Sequence, residues 1–171
     1  MNNNLYVLYR DNEWCKLNLD EDYLFEMLIL ESFQAGLSWE CILNKRDDFR
    51  VAFDNFDIDK IINYDDIKIN ELLNNKRIVR NKLKIKDVIS NSKVFRKIED
   101  EFGSFWNYLR GFWNGKIIYE VNKTTSKLSD NISNDLIKRG MKFVGSTIIY
   151  SYLQAIGIVY VHVLDCFMYN G

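Results

Sequence analysis

Residues 22–35, DYLFEMLILESFQA, carry apolar side chains on more than one face of a helix. A surface helix buries a single stripe, so a helix apolar around most of its girth must lie inside, with other helices packed on several sides. That one segment predicts an all-α core built around it. Gly36 ends the helix, because only glycine enters the left-handed conformation without steric cost. Ser38 reads as the N-cap of the next helix, where Trp39, Ile42, Leu43, Arg46, Phe49, Ala52 and Phe53 keep three-and-four spacing.

The remaining chain also reads as helices. Asp57 and Asp66 are expected to cap two short ones carrying Ile61, Ile62, Ile69, Leu72 and Leu73. A longer helix is expected over about 81–100, with Leu83, Ile85, Val88, Ile89, Phe95 and Ile98 as its stripe and Gly103 as its stop. Ser104 can cap an aromatic helix holding Phe105, Trp106, Tyr108, Leu109 and Phe112. Residues 114–132 read as a connecting loop. Ser133 begins a short helix that Gly140 ends, and a last helix runs from about Ser146 to Gly157. Strand signals are thin: Lys116–Val121 and Ile158–Leu164 alternate briefly. With 171 residues and no internal repeat, the chain suits one compact domain, or two small lobes sharing a core.

Composition narrows the chemistry. One histidine, His162, excludes a histidine pair as metal site or acid/base couple, and three cysteines give no disulfide framework. Such sparse cysteine usage suits a reducing cytoplasm. The start, MNNNLYVLYRDNEW, has no basic region followed by an apolar one, and the apolar stretch 143–166 is broken by Ser, Gln, Gly, His and Asp. A soluble, cytoplasmic protein without membrane association is expected.

With 23 Lys and Arg against 24 Asp and Glu, the net charge of −1 excludes a basic coat over the whole chain. The charge is segregated, however. Lys76–Lys97 holds nine cations (Lys76, Arg77, Arg80, Lys82, Lys84, Lys86, Lys93, Arg96, Lys97) against Asp87, a local +8, while 19–31 carries −5. Such a run is either a solvated helix face or an anion-binding one. Here it spans two expected helices, around 66–74 and 81–97, joined by the basic turn Asn75–Arg80. A hairpin of that kind can aim backbone N–H groups and cations at phosphates without reading sequence.

Three segments carry a resemblance: YVLYRDNEW at 6–14, LFEMLILESFQAGLSWECILNKRDDFRVAF at 24–53, and KRGMKFVGSTIIYSYLQAIG at 138–157. Together with LLNNKRIVRNKLKIKDVI in the basic region, they resemble the type I 3-methyladenine DNA glycosylases of the helix-hairpin-helix superfamily over nearly the whole chain. The resemblance implies two helical lobes flanking a base-binding pocket, with a hairpin lobe at about 54–125 and a second lobe from about 1–53 and 126–171. It implies monofunctional hydrolysis of the N-glycosidic bond of 3-methyladenine in double-stranded alkylated DNA, by a monomer that flips the base into the pocket. Methylation makes that base cationic, which suits aromatic walls and a carboxylate.

On this resemblance Glu31 is the catalytic acid contacting the base. Read from the residues alone, it could also be a buried helix carboxylate paired with Arg or Tyr. Trp39 corresponds to a stacking residue, Tyr6 and Tyr9 to pocket tyrosines, and Ser146 and Thr147 start the last helix where backbone N–H groups could face base or phosphate. Trp14 is expected to pack nearby. Gly36 and Leu37 match the turn that enters the vacated stack, although Leu37 alone would also read as a core leucine. Lys76, Arg77, Arg80 and Lys82 match the DNA-binding hairpin.

The departures concern metal and cover. The family's zinc clasp of two Cys and two His keeps here only a residual half site, His162 and Cys166. Arg10 stands at one of the missing ligands, and the other would precede Met1. Arginine cannot ligate zinc, so no cofactor is expected; an Arg10 ion pair, for example with Asp165, or apolar packing is the expected replacement. A tryptophan covering the base from the other face would also precede Met1, and Arg77 stands where glycine is usual. Besides the glycosylase, two alternatives stay open: a weakened DNA-binding or damage-sensing relative without turnover, and a helical interaction domain that binds no DNA.

Overall fold

The computed structural model describes residues 4–161. Its helices are α1 (Asn4–Asn12), α2 (Glu21–Gln34), α3 (Trp39–Leu43), α4 (Arg46–Ala52), α5 (Ile58–Ile61), α6 (Asp66–Asn74), α7 (Lys82–Phe102), α8 (Phe105–Arg110), α9 (Lys127–Lys138) and α10 (Ser146–Ala155), with one 3₁₀ turn at Asp54–Phe56. The thin strand signals condense to β1 (Ile118–Tyr119) and β2 (Val159–Tyr160), a two-residue parallel pair. Among the described residues, no helix is long and apolar enough to cross a membrane.

The apolar segment is the central helix. α2 buries every side chain from Leu24 to Phe33 except Glu26. It packs against α3, α7, α8, α10 and the 3₁₀ turn. Aromatic contacts radiate from it: Phe25 meets Phe95 of α7 at 5.0 Å and Phe33 meets Phe49 of α4 at 4.8 Å. The acids of residues 19–31 are mostly structural. Asp20 caps α2, Glu21 accepts from the Phe105 and Trp106 N–H groups at the start of α8, and Glu26 pairs with Arg46 and Arg50.

Three expected boundaries move. The helix expected from Trp39 to Phe53 divides at Asn44–Lys45, although Phe49, Ala52 and Phe53 keep their buried face. Asp65, not Asp66, caps α6 by accepting from the Lys68 N–H. The expected loop 114–132 ends early, because α9 starts at Lys127 rather than Ser133. Ser126 and Ser129 cap each other reciprocally there, and serine in place of the usual Glu or Gln hid that box. The Ser133 hydroxyl instead donates to the Val144 carbonyl.

Candidate active site

α2 builds the floor of one cavity. Glu31 and Gln34 lie three residues apart and so share a face of that helix. α1 supplies Tyr6, Tyr9 and Arg10, the loop after it Trp14, α3 Trp39, and α10 Ser151 and Gln154. The cavity has a volume of about 140 Å³, close to apolar cavities that accept a benzene-sized ring. The Tyr9 and Trp39 rings stand 5.5 Å apart, tilted by 47°. α1 is held in place from below by Arg46, which bonds Glu13 just beyond α1 at 2.7 Å and Glu26 of α2 at 2.8 Å.

Among the described residues, four buried side-chain polar atoms have no hydrogen-bond partner: Tyr9 Oη, Glu31 Oε2, Gln34 Oε1 and Trp39 Nε1. All four belong to residues lining this cavity. Leaving one such group unsatisfied costs about 1–3 kcal/mol, so their convergence marks a place that a polar ligand completes. Glu31 is therefore not the structural ion pair its sequence setting allowed. Burial alone pushes its carboxyl well above the usual carboxylate range, and burial likewise raises the Tyr9 hydroxyl.

The other expected site residues divide. Tyr6, Tyr9, Trp39 and Glu31 line the cavity together with Trp14. Ser146 does not: its hydroxyl bonds Ser129 and Asp130 at the start of α10. Residue 151 lies about 140° further round the helix, which turns Ser151 and Gln154 inward instead. Their signal was legible in principle as two polar residues at i and i+3 in the otherwise apolar run IIYSYLQA.

Gly36 adopts φ +80 on the turn after α2. Leu37 is 41% exposed, which excludes the core-leucine reading, and its N–H donates to the Gln34 carbonyl at 2.7 Å. An exposed apolar side chain thus stands on the turn that follows the cavity-lining Gln34. α6 and α7 pack as a hairpin whose turn exposes Lys76, Arg77 and Arg80 and buries Ile78; Lys82 opens α7, also exposed. Arg77 has no left-handed backbone, so its side chain is tolerated without strain. Its guanidinium reaches Asp48 at 3.7 Å, and its carbonyl accepts from Lys45 at 3.0 Å.

One cation leaves the expected DNA-facing run. Lys84 is buried, and its Nζ donates to the carbonyls of Phe33, at 2.7 Å, and Ala35. It fastens the hairpin helix to the turn carrying Gly36 and Leu37 and satisfies carbonyls at the C-terminus of α2. Lys84→Met is expected to lower stability by about 2–4 kcal/mol, read from urea midpoints, with Lys84→Arg recovering part of it.

Among the described residues, Arg10, at the position of one of the family's zinc ligands, does not fit zinc. Arg10 lines the cavity rim with its Nε on Asp11 at 3.1 Å. Burial pushes the Cys15 thiol up to about 11, away from the thiolate that zinc requires. Among the described residues, no three His, Cys, Asp or Glu side chains converge as ligands. His162, Asp165 and Cys166 lie outside the described residues.

A buried acid among aromatic walls, with an exposed leucine on the adjoining turn and a basic hairpin fastened to that turn, is the arrangement expected of a helical DNA glycosylase. The family model described as Methyladenine glycosylase matches residues 1–169, and the chain belongs to that family. It is 38% identical to DNA-3-methyladenine glycosylase 1 of Escherichia coli (strain K12), an alignment covering 98% of this chain and 92% of that one. A solved 3-methyladenine DNA glycosylase I superposes with a TM-score of 0.95 at 37% identity, covering 99% of this chain and 97% of the other. The Staphylococcus aureus enzyme, solved to explain its recognition of 3-methyladenine, superposes with a TM-score of 0.92 at 31% identity, covering 97% and 92%.

Proposed function

We propose that this protein hydrolyses the N-glycosidic bond of 3-methyladenine in alkylated double-stranded DNA, releasing the free base and leaving an abasic site. The observation that carries this reading is the convergence of four unpartnered polar groups on one aromatic cavity. In the reaction, water adds through its oxygen to the sugar C1′ and gives up a proton to bulk water. The bonding pair of the glycosidic bond leaves with the base and quenches its positive charge. Among the described residues, no lysine lines the cavity to form a Schiff base, so the strand stays intact.

Selectivity follows from Glu31. Burial favours its neutral carboxyl, and a cationic base favours the ionised form by direct attraction. Neutral adenine brings no compensating charge. The aromatic faces of Tyr9 and Trp39 add to the preference for a cation. Leu37 fills the stack the base has left, while Lys76, Arg77, Arg80 and Lys82 hold the backbone.

The chain acts as one domain, 1–171, with 54–125 gripping the phosphates, and works in the cytoplasm as a monomer without bound zinc. The test is chromatography of bases released from methylated DNA. Release of 3-methyladenine is expected, and it should survive EDTA on a sample free of zinc by metal analysis. DNA binding without release would leave a damage-sensing relative instead. Lys76→Ala, Arg80→Ala and Lys82→Ala should each flatten the slope of log affinity against log salt by about 0.9, with the release rate at saturating DNA retained.

A further inference from the structure

We infer that Gln34 selects bases that present an amino group, rather than a carbonyl, at the ring position facing it. The inference deepens the proposed function and rests on the same cavity. Gln34 is the last residue of α2, one turn beyond Glu31, and its Oε1 is buried without a partner while its residue lines the cavity. A side-chain carbonyl oxygen accepts hydrogen bonds and donates none. A ligand carbonyl brought against it would leave two acceptors facing each other in a dry site, whereas an amino group satisfies the orphaned oxygen.

The neighbouring atoms complete a pattern. Trp39 Nε1 is a donor only and also lacks a partner, so the ligand must offer an acceptor there. Tyr9 Oη serves as donor or acceptor. A ring carrying an exocyclic amine and a ring-nitrogen acceptor fits this set; a 6-oxo purine reverses it at Gln34. Sites built to hydrogen-bond a polar substituent reject ligands that cannot supply it far more strongly than apolar pockets reject a change of shape. The main-chain carbonyl of Gln34 accepts from the Leu37 N–H at 2.7 Å. The same residue thus joins the base cavity to the wedge turn.

The experiment is equilibrium binding of two free bases to the intact protein, followed by tryptophan fluorescence: 3-methyladenine, and 3-methylhypoxanthine, which carries a carbonyl in place of the amine. Wild type should bind the amino base at least about tenfold more tightly. Gln34→Leu should bring the ratio close to one, and Gln34→Glu, which keeps an acceptor, should preserve the preference. Equal affinities in the wild type, binding of neither base, or a ratio unchanged in a folded Gln34→Leu protein would overturn the inference. If the wild type shows the preference but releases no base from methylated DNA, the proposed function fails and the inference stands. If it releases 3-methyladenine while Gln34→Leu keeps the ratio, the inference alone fails.

Discussion

Glu31→Gln is expected to reduce 3-methyladenine release by about 100-fold or more while making the folded protein more stable at neutral pH. The two effects have one origin. Glu31 is fully enclosed and unpaired on Oε2, and burial raises its folded pKa. In the unfolded chain the carboxyl ionises near the ordinary glutamate value of about 4.3. Between that value and the raised folded one, the folded state binds the extra proton, so wild-type stability falls as pH rises, by about 1.4 kcal/mol per pH unit. Glutamine has no proton to lose. The Glu31→Gln protein and the wild type should therefore melt together near pH 4, and the variant should pull ahead as pH increases. Melting curves at pH 4, 6 and 8 check this. A variant less stable than wild type at pH 8 would show that Glu31 is not held neutral.

Gly157→Ala should be the most damaging small substitution among the described residues. Gly157 has φ +84, and a Cβ placed there would overlap the backbone of Lys16 and Leu17 far inside van der Waals contact. Backbone cannot swing aside as a side chain can. The segment it would displace is tied to the end of α10 by hydrogen bonds from Cys15 to Gln154 and from Asn18 to Ile156, both 3.0 Å. That segment carries Trp14 and follows the helix bearing Tyr6 and Tyr9. A loss of about 3 kcal/mol or more is expected, together with loss of base release even below the melting point. A Gly157→Ala protein that melts and turns over like wild type would contradict the close packing of residues 16–17 on this turn. Gly36→Ala provides the contrast: it too has positive φ, but nothing lies within 4 Å of a Cβ there, so only the backbone strain applies.

Several links are legible in the sequence alone. The all-round apolarity of 22–35 dictated a central helix, because no other arrangement removes that much apolar surface from water. Ser38, Asp57 and Ser104 announced helix starts that the structure places at those positions, each accepting from backbone N–H groups of the first turn. Capping is local chemistry, so sequence carries it. The reciprocal Ser126–Ser129 box is not legible in the sequence because it uses an uncommon partner, nor is the break at Asn44–Lys45, because apolar spacing continues across it.

The site divides along the same line. Glu31 stood out as a carboxylate within an apolar run, and family resemblance joined it to Tyr6, Tyr9 and Trp39. The sequence could not decide whether that carboxylate is paired, whether Leu37 is buried, or which of nine cations between 76 and 97 turns inward. Each of these depends on residues far away in the chain. Lys84 leaves the expected DNA-facing set because carbonyls of Phe33 and Ala35, about 50 positions earlier, lie within its reach. Ser146 yields to Ser151 and Gln154 because the rotation of α10 against α2 is set by packing, not by its own spacing.

The sequence by itself determined the helical class, the central helix, most caps and the family, all of which rest on periodicity, local hydrogen bonding or matched segments. Only the tertiary structure decided that Tyr9, Glu31, Gln34 and Trp39 share one cavity with their polar atoms unsatisfied. Whether a buried group has a partner is a property of the three-dimensional neighbourhood, to which residues up to 148 positions apart in this cavity, Tyr6 and Gln154, contribute.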